Sequence, residues 1–127
     1  MTLRSLLVDD SSRFLAAARE LLEREGIEVV GIASTIDEAV RLAGALRPDV
    51  CIVDIDLGDE SGFDLARRLA EPGGQPQRVV LISAYPENDF STMIADSPAV
   101  GFLSKPELSA ARIRAMLASC DGAPPVD

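Results

Sequence analysis

Two hydrophobic periods alternate along this chain, and that alternation limits its fold more than any other feature. Short apolar runs stand at Leu6-Leu7-Val8, Ile27 to Ala33, Val50-Cys51-Ile52-Val53, Val79-Val80-Leu81-Ile82 and Val100 to Leu103. They are short and rich in Val and Ile, which favours strands over helices. Stretches with helical spacing lie between them. Their apolar faces are Phe14, Ala18, Leu21 and Leu22, then Ile36, Ala39, Val40 and Ala43, then Leu65, Ala66 and Leu69, and last Ile113, Met116, Leu117 and Cys120. A fourth, shorter helix is expected over Glu87 to Ala95, opened by Pro86 and ended by Asp96-Ser97-Pro98. Gly26 and Pro48 stop the first two helices, and Thr35 with Glu38 fits a capping box. Pro72 to Pro76 reads as a loop.

Strictly alternating strands and helices imply a doubly wound parallel α/β sheet with helices on both faces. Five strands fit the flavodoxin-like (βα)5 order 2-1-3-4-5, and pattern alone leaves the Rossmann-like order open. The 127 residues suit one domain, expected over 1–118. Residues 119–127 end in Gly122-Ala123-Pro124-Pro125 and read as a tail or a linker stub. Stand-alone and excised origins both remain open. In such sheets, ligands bind beyond the carboxyl ends of the strands, near the switch point between strands 1 and 3.

The residues at those ends carry chemistry. Strand 1 ends in Asp9-Asp10, strand 3 in Asp54, strand 4 in Ser83-Ala84 and strand 5 in Ser104-Lys105-Pro106. With strands 1 and 3 adjacent, three carboxylates meet in one crevice. Two like charges about 4 Å apart repel by ~4 kcal/mol at an effective dielectric near 20. Such a cluster holds a proton or a cation. Mg²⁺ takes one or two carboxylates, keeps waters and favours phosphate oxygens. A metal, an ammonium and a hydroxyl together suit an oxyanion with three oxygens, and so phosphoryl transfer to a carboxylate. Taken singly, each residue has a plainer use. Asp9-Asp10 fits a helix cap, Asp54 and Ser83 fit turns, Lys105 fits a surface charge, and Phe102 fits the core.

Taken together, five pieces in order resemble a response-regulator receiver domain of two-component signalling, over about residues 3–118. They are Leu7-Val8-Asp9-Asp10, Pro48 to Asp54, Gly62, Val80 to Ala84, and Gly101-Phe102-Leu103-Ser104-Lys105-Pro106. The resemblance implies that Asp54 is the phosphoacceptor and that Asp9, Asp10 and Asp54 hold Mg²⁺, with the backbone carbonyl of Asp56 as a further ligand. It implies that Ser83 and Lys105 meet phosphoryl oxygens, and that Ser83 and Phe102 form the switch. The Lys105-Pro106 bond is often cis in that family. The implied partners are a sensor histidine kinase or phosphotransfer protein, and a downstream partner or output domain on the helix 4–strand 5–helix 5 face. Lys105 is the one lysine beside eleven arginines, where a flexible point charge is needed. Three positions depart from the common pattern. Gly58 stands where Pro is frequent and predicts a looser acceptor loop. Asp56 adds a carboxylate, and Asp96-Ser97-Pro98 replaces a small turn.

Two enzyme or cofactor alternatives stand beside this reading. Asp54-Ile55-Asp56 resembles the first motif of haloacid-dehalogenase-like phosphatases, but there the motif usually closes the first strand. A flavodoxin-like flavin binder would need a Ser/Thr/Gly-rich loop where Asp9-Asp10 stands. A receiver acting by contact without phosphorylation is a third alternative. Net charge is −9, which argues against direct nucleic-acid binding. The chain has no His, so it offers no histidine base or ligand. No apolar run suits a membrane span, and Cys51 and Cys120 form no CxxC pair; a reducing cytoplasm is expected.

Overall fold

The computed structural model describes residues 2–70, 78–85 and 90–120. Five parallel strands form the main sheet: β1 (Leu3–Val8), β2 (Ile27–Ala33), β3 (Val50–Asp54), β4 (Val79–Ser83) and β5 (Gly101–Ser104). Their order is β2-β1-β3-β4-β5, the flavodoxin-like arrangement. Helices α1 (Ser12–Arg24), α2 (Ile36–Leu46), α3 (Gly62–Leu69), α4 (Ser91–Asp96) and α5 (Ala110–Cys120) connect or follow the strands. The first strand begins at Leu3, earlier than its apolar run, because pairing of Leu3, Arg4 and Ser5 with β2 extends the ladder.

The central stretches of the inner strands, Leu6 to Val8, Val50 to Val53 and Val79 to Ile82, are apolar because both faces of the sheet are covered there. Side chains alternate across a strand. Leu6, Val8, Cys51, Val53, Val79 and Leu81 accordingly join one core with Ala39, Ala43, Leu65 and Ala66 of α2 and α3. Leu7, Val50, Ile52, Val80 and Ile82 join the other with Leu15, Ala18, Leu22, Ile113 and Leu117 of α1 and α5. The thiol of Cys51 is fully buried, and burial pushes its pKa up to about 12. It is inert core, as expected from its surroundings.

Helix ends are set by local chemistry. Ser11 caps α1 by accepting from the Phe14 amide at 3.2 Å. Thr35 caps α2 by accepting from the Glu38 amide at 3.2 Å, while Glu38 reaches back to the Ser34 amide at 3.0 Å. Gly26 takes φ +95° after α1, a conformation that favours glycine. Arg47 adopts a left-handed φ of +49° after α2, at some steric cost, because Pro48 forbids a further helical turn. The ends of α1 and α5 are stitched together. A Glu25 carboxylate oxygen accepts from the Ala110 amide at 2.8 Å.

Several expectations change. Lys105-Pro106 is trans, since there are no cis bonds among the described residues; Pro106 sits in a 3₁₀ turn, Lys105–Glu107, whose first positions suit its fixed φ. The acceptor loop, left without a defined geometry by the sequence, contains a short hairpin. Asp56–Leu57 pairs antiparallel with Glu60–Ser61 across a two-residue turn. Gly58 takes φ +74° there, which proline cannot adopt. Helix α4 covers Ser91–Asp96, ending where expected; its proposed start at Pro86 to Asp89 lies outside the described residues. So do the Pro72–Pro76 loop and residues 121–127, while α5 continues past 118 to Cys120. Among the described residues, no helix is long and apolar enough to cross a membrane.

Candidate functional site

Strand register brings the site together. Val8 pairs with Val53, so Asp9 and Asp54 leave adjacent strands at the same level. Asp54 pairs with Ile82, and Ser83 pairs with Ser104, so Ser83 and Lys105 follow on the next two strands. Carboxylate oxygens of Asp9, Asp10 and Asp54 all lie within 4.8 Å of one another. Asp9 and Asp54 are buried, and Asp10 faces solvent.

The Lys105 ammonium bridges the two buried acids. Its Nζ lies 2.7 Å from Asp9 Oδ2 and 3.0 Å from Asp54 Oδ2. The other oxygens are also engaged. Asp9 Oδ1 accepts from the Ser11 amide at 2.8 Å, and Asp54 Oδ1 accepts from the Asp56 amide at 3.1 Å. Helix capping therefore belongs to Ser11, which leaves the acidic pair for the crevice.

Burial raises the Asp54 pKa to about 6; the Asp56 amide and Lys105 oppose this, and the Asp9 charge adds to it. Desolvation thus outweighs the like-charge repulsion expected from the sequence. Burial pulls the Lys105 ammonium down, but its hydrogen bonds to Asp9 and Asp54 and their charges outweigh that, so its pKa stands above the ordinary value.

The donor set fits a hard divalent cation. Asp9 Oδ2 is buried and, among the described residues, meets the Lys105 ammonium at 2.7 Å and no other hydrogen-bond partner. It has spare capacity, as do two neighbouring carboxylates. The exposed Asp10 leaves one side of the cluster open to solvent, and a bound Mg²⁺ would keep waters there.

The other expected residues divide. Ser83 is buried, and its Oγ accepts from the Tyr85 amide at 3.0 Å. Phe102 is packed in the core, against a cluster that includes the half-buried Phe90, Ile94 and Ala99. The Asp56 side chain is exposed and outside the acidic cluster; its Oδ1 accepts from the Gly58 amide at 3.2 Å.

Two further residues matter here whose part the sequence did not reveal. Gly62 donates its amide to the Ile55 carbonyl at 2.9 Å. A Cβ there would overlap the Asp54 carbonyl oxygen and stand 2.7 Å from Ile55 Cα. The backbone carrying Asp54 therefore needs glycine at 62. Phe14, which its spacing marks as helix-face packing, lies with its ring 4.3 Å from Lys105 Nζ. No sequence signal separates such a ring from ordinary core.

A parallel 2-1-3-4-5 sheet with an acidic crevice and a lysine at its carboxyl edge defines a class of small signalling domains that are controlled by phosphorylation. The chain belongs to the response regulator receiver domain family, whose model matches residues 6–118. Members of that family work by phosphorylation on aspartate. The chain is 32% identical over 103 residues to the transcriptional regulatory protein PdtaR of Mycobacterium tuberculosis, covering 81% of this chain and 49% of that protein. It is 30% identical over 105 residues to the response regulator GacA of Pseudomonas aeruginosa, covering 81% and 48%. It therefore spans about half the length of these curated relatives. The signal receiver domain of the putative response regulator NarL from Mycobacterium tuberculosis superposes with a TM-score of 0.80 at 28% identity, covering 95% of this chain and 98% of that one.

Proposed function

We propose that this chain is a phosphorylation-controlled switch in which Asp54 accepts a phosphoryl group from the phosphohistidine of a sensor kinase or phosphotransfer protein. The observation that carries this reading is the Lys105 ammonium held between Asp9 and Asp54 at 2.7 and 3.0 Å. A buried carboxylate beside a fixed positive charge is a nucleophile whose product charge is already countered. Asp54 attacks phosphorus through a carboxylate oxygen, and the nitrogen leaves with the electron pair of the broken P–N bond. Lys105 remains protonated and pairs with a phosphoryl oxygen. Ser83, one residue beyond the Asp54 level, donates its hydroxyl to another.

Asp9, Asp10 and Asp54, with the Asp56 carbonyl, would hold Mg²⁺, which supplies charge neutralisation at the phosphoryl oxygens. A phosphoryl group adds negative charge and three acceptor oxygens. Turning Ser83 toward them releases the Tyr85 amide and opens room for Phe102, and the change reaches the face of α4, β5 and α5. That face meets a downstream partner or output domain. The chain acts as a cytoplasmic switch rather than by turning over a metabolite. The phosphatase reading needs both Asp54 and Asp56 carboxylates at the site, and Asp56 instead binds the Gly58 amide.

The test uses acetyl phosphate with Mg²⁺. The chain gains one hydroxylamine-labile phosphoryl group, and Asp54→Asn gains none. Equal labelling of Asp54→Asn would overturn the assignment, and steady hydrolysis of p-nitrophenyl phosphate would favour the phosphatase.

A further inference from the structure

The ammonium of Lys105 has a third neighbour besides its two acids. The Phe14 ring, on α1, lies with its centroid 4.3 Å from Nζ. An aromatic face attracts a cation, more strongly as water is excluded, and it does so without a fixed direction. The Lys105 side chain is only 20% exposed, and Phe14 is half-buried. The ring therefore stands where a water would otherwise take one of the ammonium's N–H donors.

This placement matters when the acceptor changes. In the ground state Lys105 is split between Asp9 and Asp54. During transfer it must follow charge outward, from an Asp54 oxygen to a phosphoryl oxygen. Hydrogen bonds hold it to fixed oxygens, whereas a ring face holds it while it slides. The helix supports the ring firmly. Ser11 caps the turn through the amide of Phe14 itself, and Leu15 beside it is buried against the sheet.

We propose that Phe14 is a positioning residue for phosphoryl transfer, holding the Lys105 ammonium over the acceptor through its ring face. This rests on the assignment of Asp54 as acceptor. With acetyl phosphate the step is one displacement. An Asp54 oxygen bonds to phosphorus, the bridging P–O bond breaks, and acetate leaves with the electron pair. Lys105 keeps its protons throughout.

The test has two arms. The first is NMR of the unmodified wild-type chain. A methylene next to an ammonium over a ring face is shielded, so the Lys105 ε protons resonate upfield of an ordinary lysine. They stay upfield in Phe14→Tyr and return to the ordinary position in Phe14→Leu, which keeps apolar bulk and removes the ring. The second arm is the rate of phosphorylation by acetyl phosphate at saturating Mg²⁺. Phe14→Leu slows it about three- to tenfold, the range expected for a partly desolvated cation–π contact, and Phe14→Tyr keeps the wild-type rate. Unshifted Lys105 protons in the wild type, or an unchanged rate in Phe14→Leu, overturns the proposal. Failure of the wild type itself to phosphorylate would instead reject Asp54 as acceptor, and the proton shifts would still report on the contact.

Discussion

Replacing Asp54 with asparagine should make the metal-free protein more stable at neutral pH, because the native fold holds this carboxylate against its preference. Burial raises its pKa from 3.8 to about 6. The folded state therefore binds the proton more tightly than the unfolded state. Below about pH 4 the group is protonated in both states, and the fold carries no penalty. As pH rises through the interval up to about 6, the unfolded chain ionises freely while the folded chain resists, and stability falls. Above that interval the penalty is complete. A shift of roughly two units corresponds to about 3 kcal/mol. Asn carries no such charge at any pH, and Lys105 retains Asp9. Urea unfolding in EDTA at about pH 7.5 should thus show Asp54→Asn more stable by about 2–3 kcal/mol, with the gain shrinking toward zero near pH 4. Added Mg²⁺ should narrow the gap by stabilising the wild type. A variant no more stable at pH 7.5, or an advantage that grows on acidification, would refute the reasoning.

The structure makes other outcomes specific. Asp9→Asn/Asp10→Asn should lose most Mg²⁺ affinity by titration calorimetry, and wild-type binding should fade on acidification as the ligands protonate; unchanged affinity sinks the shared site. Gly62→Ala should cost at least about 2 kcal/mol in urea unfolding, since its Cβ meets backbone rather than a flexible side chain, and should slow phosphorylation by displacing Asp54. Ser83→Ala should still bind beryllofluoride on Asp54 but show smaller NMR shifts at Phe102 and across α4, β5 and α5; shifts equal to wild type remove Ser83 as the coupling residue.

Much of this was legible in sequence for a physical reason. A strand segment covered on both faces is apolar at successive positions, so Val50 to Val53 and Val79 to Ile82 could hardly be anything else. The polar residue that ends such a strand lands at the crevice, so Asp9 and Asp54 could be placed once β1 and β3 were neighbours. Side-chain geometry was less visible. The hairpin at Asp56 to Ser61 is too short to show a period, and Gly58 reveals its turn only through its φ. The need for glycine at 62 depends on a backbone approach across the loop. Phe14 has the spacing of core packing, and only the fold brings Lys105 beneath its ring. The dominant cause of the Asp54 shift was also hidden, because burial is a property of the whole fold whereas charge proximity can be guessed from strand ends.

The central claim is that Asp54, among several nearby acids, receives the phosphoryl group. Borohydride reduces an acyl phosphate of aspartate to homoserine and leaves free carboxylates untouched. The chain should therefore be phosphorylated with acetyl phosphate and Mg²⁺, reduced, digested and sequenced by tandem mass spectrometry. The account predicts homoserine at position 54 alone. Homoserine at 9, 10 or 56, or none in protein shown to be folded and Mg²⁺-loaded, would contradict it.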